Sequence, residues 1–251
     1  MKLPQELIAE YARDLTVPVY EVGRGNKLKL GSVLRLVQET SEQHLRLLHI
    51  SYEELRGKGG LVFFIISTRL RVCRMPMHAE SITIRTHPRG RVGAQFYRDY
   101  GFYDANGSLL IEVMQTSILV DAGTHQIRRP QDLKPFWDYP DLEIPPEERI
   151  GRFRAPGDLP QVGVRAVFRS DVDANGHMNN CVYGDVVADC LPAEILRSLG
   201  TVQINYLLET EEGDSLTVCA GERDGQFLIR GTNSHGVSFT ASAKPKARPT
   251  E

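Results

Sequence analysis

Between Arg169 and Tyr183 the chain reads Arg-Ser-Asp-Val-Asp-Ala-Asn-Gly-His-Met-Asn-Asn-Cys-Val-Tyr. Asp171, Asp173, Asn175, His177 and Asn179 fall on alternate positions, and in an extended segment alternate side chains share a face. A helix would scatter them. The stretch therefore reads as an extended loop with Asp173, Asn175 and His177 on one side, running into a helix that begins near Asn179 or Asn180. Carboxylate, carboxamide and imidazole groups converging at a helix N-terminus can move protons and hold a developing negative charge.

Three other chemistries fit parts of this stretch. Asp171, Asp173, Asn175 and Gly176 reproduce positions 1, 3, 5 and 6 of a calcium-binding helix–loop–helix, but that loop needs a bidentate Glu at position 12, where Val182 stands. Asp-Ala-Asn-Gly is also a turn sequence, with Asn179 or Asn180 a helix cap and His177 incidental. Cys181, four residues after His177, is a nucleophile in principle. It lies on the apolar helix, however, where a free cysteine serves as a small apolar residue. No metal site and no cofactor site is expected.

The positioning elements come from periodicity. After a short lead-in of helical character, Thr16 to Glu21 reads as a strand and Gly23-Arg24-Gly25-Asn26 as a turn. The Gly-x-Gly is no phosphate loop, because Lys27-Leu28-Lys29-Leu30 stands where the third glycine and helix start should be. Val33, Leu34, Val37, Ser41, Leu45 and Leu48 have helical spacing with Ser32 as the cap, and a second helix is expected from Ser51 to Lys58. His44 and His49, on or near these helices, read as exposed or core-edge.

The period then shifts to two. Leu61 to Val72, Ser81 to Thr86, Gly93 to Tyr103 and Leu109 to Val120 read as antiparallel strands, punctuated at Pro88-Arg89-Gly90 and Asp104-Ala-Asn106-Gly107. Seven prolines between Pro130 and Pro160 exclude regular structure there, while Phe136, Trp137 and Tyr139 should pack on a domain surface. Beyond, strand (Val162 to Arg169), loop, helix (Asn180 to Leu191) and four strands (Thr201 to Leu208, Ser215 to Ala220, Gln226 to Gly231, Val237 to Lys244) repeat the order. Glu80-Ser81-Ile82-Thr83-Ile84 matches Asp214-Ser215-Leu216-Thr217-Val218, and Gln95-Phe96 matches Gln226-Phe227. Two copies thus share strands and helix, but only the second carries the polar row before its helix, which points to chemistry there.

Bulk properties bound the class. The 251 residues suit one large domain or two small ones, 25% charged and 41% hydrophobic residues are ordinary, and a net charge of −2 gives no global pull toward nucleic acid or membrane. Four cysteines with no Cys-x-x-Cys pair suggest a reducing compartment. With no membrane-length apolar run and acids in the N-terminal segment, a cytoplasmic location is expected.

Asp173, Asn175, His177, Asn179, Asn180 and Tyr183, in the order Asp-x-Asn-x-His-x-Asn-Asn-x-x-Tyr, resemble the signature of the acyl-acyl carrier protein (acyl-ACP) thioesterases, bacterial type. The likeness extends to Leu36-Val37-Gln38-Glu39, Arg98-Asp99 and Leu119-Val120-Asp121. It implies an α+β fold of two tandem hot-dog domains, each an antiparallel sheet wrapped around a long central helix. The expected layout is an acyl-binding domain (1–129), a proline-rich linker (130–160) and a catalytic domain (161–251). It also implies a catalytic Glu at Tyr206-Leu207-Leu208-Glu209, on the strand after the helix; the plant enzymes have Cys next, where this chain has Thr210. Val62-Phe63-Phe64 occupies a region where the family often carries Trp.

The chemistry so implied is hydrolysis of fatty acyl-ACP. Water is activated by Glu209 with His177, Asp173 orients the imidazole or the water, Asn175 holds water or carbonyl, and backbone N–H groups near Asn179 and Asn180 polarise the thioester. Direct attack by the carboxylate, through an anhydride, is the competing version. Acidic carrier protein would meet Arg69, Arg71, Arg74, Arg85, Arg89 and Arg91, or Arg128 and Arg129. An acyl-CoA thioesterase and a non-catalytic acyl-binding protein are the other classes considered, and homodimerisation is left open.

Overall fold

The computed structural model describes residues 9–140 and 142–247. The helical lead-in falls largely on residues 1–8, outside the described residues. Among the described residues ten strands form one antiparallel sheet: β1 (Tyr11–Thr16), β2 (Leu61–Val72), β3 (Ser81–Val92), β4 (Gln95–Asp104), β5 (Leu109–Asp121), β6 (Gln161–Ala166), β7 (Leu199–Tyr206), β8 (Ser215–Arg223), β9 (Gln226–Asn233) and β10 (Gly236–Pro245). Their order across the sheet is β1-β3-β4-β5-β2-β7-β10-β9-β8-β6. The second half is the first half reversed, and the two meet where β2 pairs with β7, from Ser67 opposite Asn205 to Arg71 opposite Thr201. This is the repeat seen in the sequence.

Helices α1 (Leu30–Leu47) and α3 (Asn180–Cys190) are the central helices of the two halves, with α2 (Tyr52–Gly59) and the short α4 (Ala193–Arg197) flanking them. Leu30, Val33, Leu34 and Val37 of α1 share one core with Val186 and Val187 of α3, Leu70 of β2, Ile84 and Phe102 of the first half, and Ile204 and Phe239 of the second. The two helices touch at their first turns. A Cβ on Gly184 would lie 3.0 Å from the Gly31 Cα and 2.9 Å from a Leu34 methyl, so only a residue without a side chain lets the backbones approach. Gly184→Ala is expected to cost about 1–3 kcal/mol by overpacking, read as a lower urea midpoint with unchanged slope.

Several expected boundaries move. Pro18 supplies no N–H, and Val19–Glu21 forms a 3₁₀ turn in place of the strand expected from Thr16 to Glu21. Ser32 does not cap α1, which starts at Leu30; the hydroxyl is buried and accepts from Arg35. Helix α2 follows its sequence signal, with a Ser51–Glu54 capping box and Gly60 at φ 63° closing it. Pro88-Arg89-Gly90 is no turn but a register shift inside β3, and the chain reverses at Gly93 (φ 60°) instead. His44 is fully buried, stacked on Tyr11 with Nδ1 3.0 Å from Arg98 Nη1, whereas the His49 side chain is exposed. In the proline-rich segment, Leu133 and Trp137 are buried with Phe96 and Leu119, and Phe136 and Tyr139 pack on them.

Candidate active site

The Asp-x-Asn-x-His stretch is not extended throughout. Val172 bridges Met178, the Asp173 N–H donates to the His177 carbonyl (2.9 Å), and the Gly176 N–H to the Asp173 carbonyl (2.9 Å). Gly176, at φ 81°, makes the reversal. Asp173 Oδ1 accepts the Asn175 N–H at 2.8 Å, the short-range bond an Asp makes in a turn. A tight hairpin replaces the extended segment expected from alternation, yet Asp173, Asn175, His177 and Asn179 still face one cavity. Asp171 is buried at its base, where its carboxylate takes Arg165 Nη2 (2.8 Å) and the Phe168 N–H (3.0 Å).

Glu209 lies beyond the end of β7, in the connection to β8, rather than on the strand. Two backbone links hold that connection against the hairpin: Met178 N–H donates to Thr210 O (2.7 Å) and His177 bridges Glu211. Thr210, fully buried, ties in from below through Tyr183 and Ser238 hydroxyls at 3.1 and 2.7 Å. The outcome is His177 Nε2 at 3.4 Å from Glu209 Oε2. Glu209 Oε1 meets a second imidazole, His125 Nδ1 at 3.1 Å.

His125 comes from the other half of the chain, on the turn after β5. Asp121 Oδ1 organises that turn by accepting from the Gly123 and Thr124 N–H groups, both at 3.0 Å. The His125 ring stands edge to face with His177 at 5.5 Å and Phe64 at 5.0 Å. The sequence gives no cue for it, since a lone His in a turn has neither motif nor period. A further contribution from the first half is Tyr52 of α2, whose hydroxyl bonds Asn175 Oδ1. Arg56 Nη1 donates to the same hydroxyl at 2.8 Å. Guanidinium is donor-only, so the Tyr52 proton points to Asn175 Oδ1 and the Asn175 NH₂ is left to donate elsewhere.

At the start of α3, the Asn179 N–H donates to Asp171 O (2.8 Å) and the Asn179 side chain caps Cys181 N–H (2.9 Å). Asn179 is thereby committed as a cap. Asn180, the first helical residue, is where a backbone N–H has no acceptor within the helix. Cys181 is buried against α1, its thiol donating to Gln38 Oε1 at 2.9 Å, and burial pushes its pKa up to about 12. A protonated, enclosed thiol is no nucleophile at neutral pH. Cys181→Ala is expected to keep most of the turnover, within about threefold, in a steady-state comparison with the parent protein.

Tyr52, His125, Asp171, Cys181, Tyr183 and Thr210 line one cavity of about 1060 Å³. Asp173, Asn175, His177, Asn179, Asn180 and Glu209 are on its wall, and Leu34, Leu45, Ile50, Leu55, Val62, Phe64, Ile66 and Ile118 supply an apolar wall from the first half. Among the described residues, His125, His177 and Glu209 are the group whose ligand atoms, all within 4.8 Å of one another, could hold a metal ion.

Two family descriptions match in tandem: the acyl-ACP thioesterase N-terminal domain over residues 9–134 and the acyl-ACP thioesterase C-terminal domain over residues 161–242. The chain belongs to the acyl-ACP thioesterase family. It is a thioester hydrolase of hot-dog fold. Among its relatives is the chloroplastic oleoyl-acyl carrier protein thioesterase of Coriandrum sativum, 23% identical over 92% of this chain and 68% of the relative. An acyl-ACP thioesterase structure from Bacteroides thetaiotaomicron superposes with a TM-score of 0.83 at 16% identity, covering 94% of this chain and 98% of that one. The 12:0-ACP thioesterase of Umbellularia californica does so with 0.80 at 18%, with the same coverage. Identities this low speak for the fold alone.

The two halves of the thioesterase are not equivalent. Residues 21–30 and 171–180 adopt the same succession of conformations. Bridges Val22–Leu28 and Lys27–Met77 repeat Val172–Met178 and His177–Glu211. Lys27 and Met75 therefore occupy the places of His177 and Glu209, with Gly23 and Gly25 in those of Asp173 and Asn175. Most of the arginines named above are paired with carboxylates: Arg71 with Glu112, Arg74 with Glu80, Arg85 with Glu10, and Arg89 with Asp99 and Glu148. Arg128 pairs with Asp121 and Asp132 while staying exposed beside Ile127 and Arg129. No helix among the described residues is long and apolar enough to cross a membrane.

Proposed function

We propose that this thioesterase hydrolyses the thioester of fatty acyl-ACP, with Glu209 and His177 activating the attacking water. The observation that carries it is the 3.4 Å Glu209–His177 contact on the wall of a cavity to which the first half adds an apolar stretch of Leu34, Leu45, Ile50, Leu55, Val62 and Phe64. Glu209 takes the proton of a water whose oxygen attacks the carbonyl carbon. The Asn175 NH₂ and the Asn180 N–H hold the oxyanion. The C–S bond then breaks, and the departing thiolate recovers the proton through His177 or Glu209, leaving free fatty acid. Asp173 acts on the backbone, keeping Asn175 and His177 on the tight hairpin. The first half houses the acyl chain and the second supplies the base; the exposed Ile127-Arg128-Arg129 segment, two residues from His125, offers an acidic carrier protein an apolar contact flanked by cations.

The test is release of fatty acid from acyl-ACP and acyl-CoA of matched chain lengths by the purified protein. Faster turnover of acyl-ACP is expected. Preference for acyl-CoA would move the carrier assignment, and no hydrolysis of either would sink the proposal. Tyr52→Phe should lower kcat about fivefold with KM little changed. It removes one hydrogen bond, roughly 1 kcal/mol, that orients Asn175, and such a difference is about a factor of five in rate. Steady-state kinetics on one acyl-ACP checks it.

A further inference from the structure

We infer that His125, His177 and Glu209 form a binding site for a zinc-class divalent transition metal, and that its occupation switches hydrolysis off; the second part rests on the function proposed above. The three donors converge from separate segments: His125 Nδ1 lies 3.1 Å from Glu209 Oε1, and His177 Nε2 lies 3.4 Å from Glu209 Oε2. The three ligand atoms all fall within 4.8 Å of one another. Around a four-coordinate zinc with bonds of about 2.0–2.1 Å, neighbouring donor atoms sit roughly 3.4 Å apart. The two N···O contacts, each to a different carboxylate oxygen, are already at or below that spacing, and a donor set with all three atoms inside 4.8 Å closes onto an ion by about 1.4 Å or less. Two imidazoles and one carboxylate suit zinc, cobalt or nickel rather than magnesium or calcium, which favour oxygen donors.

The site is held from both sides. His125 is fixed at φ 56°, an uncommon value for a residue with a side chain, on a turn that Asp121 closes through two backbone N–H groups and the Thr124 hydroxyl. His177 is fixed by the hairpin and by its bridge to Glu211. The mouth of the cavity leaves further coordination positions open to water, because the Glu209 and His125 side chains are 42% and 36% exposed. Metal binding uses the Glu209 carboxylate and a His177 ring nitrogen, the same atoms that water activation requires. A metal and a working base cannot share them.

The experiment starts from chelator-stripped full-length protein, titrated with Co²⁺ by visible absorption and with Zn²⁺ by calorimetry. One equivalent per chain should bind, with a Co²⁺ band shifted and intensified relative to the hydrated ion. His125→Ala should weaken binding about a hundredfold, and Glu209→Gln should serve as a second ligand variant, each checked for its fold by circular dichroism. Zn²⁺ should inhibit acyl thioester release by the parent protein, reversibly with chelator. The inhibition constant for His125→Ala, measured against that variant's own metal-free rate, should rise in step with its binding constant. Absence of binding, or equal binding by a folded His125→Ala protein, overturns the site. Binding that leaves the rate unchanged, or raises it, overturns the inhibitory role. A protein inactive in every metal-free assay would count against the proposed hydrolysis alone, because the Co²⁺ spectrum reads the site without turnover.

Discussion

Glu209→Gln will leave the protein folded and lower kcat/KM for acyl thioester hydrolysis by about a thousandfold. The size follows from the contribution of a positioned general base, about 10²–10⁴ in rate. The glutamine keeps shape and volume but cannot accept the water's proton. The fold should be indifferent, since the side chain is 42% exposed and, among the described residues, its carboxylate pairs with the two imidazoles; substitutions at such surface positions usually stay within about 0.5 kcal/mol. Matched thermal melts and steady-state kinetics decide the matter. A folded variant with more than a tenth of the parent rate would remove Glu209 from the chemistry.

His177→Ala should cost about a hundredfold or more in kcat, again with the hairpin intact. What fixes the hairpin is main-chain bonding, from Asp173 N–H to His177 O, Gly176 N–H to Asp173 O and Met178 N–H to Thr210 O, all of which alanine keeps. The two losses should not add, because both groups act on one water. If Glu209→Gln and His177→Ala multiply in the double variant, they serve separate steps, and the shared-water scheme fails.

How much of this was readable beforehand depends on the range of the interaction. Strand β2 runs from Leu61 to Val72, as its β-branched and aromatic run demands, and α3 begins at Asn180 behind an Asn cap. These signals are local and periodic. Glu209 came only through resemblance, since nothing near it in sequence announces a base. Tyr52 and His125 were out of reach because their significance lies in contacts with Asn175 and Glu209 across the fold. Alternation also misled where a local side-chain bond outbid extension: Asp173 Oδ1 takes the Asn175 N–H and turns the chain. In the same way Ser32 reads as a cap until Arg35 claims its hydroxyl inside α1.

The pairing of β2 with β7 joins two like halves within a single chain, and linkage has a consequence for what can change. In a closed dimer of identical subunits every substitution is written twice, so both mouths keep or lose their chemistry together. A tether lifts that constraint. Lys27 and Met75 can occupy one mouth while His177 and Glu209 occupy the other, and the released half can lend Tyr52 and His125 to its neighbour instead. It also makes their meeting a first-order event, governed by effective concentration within the chain. The composite site therefore persists at any dilution the folded protein survives.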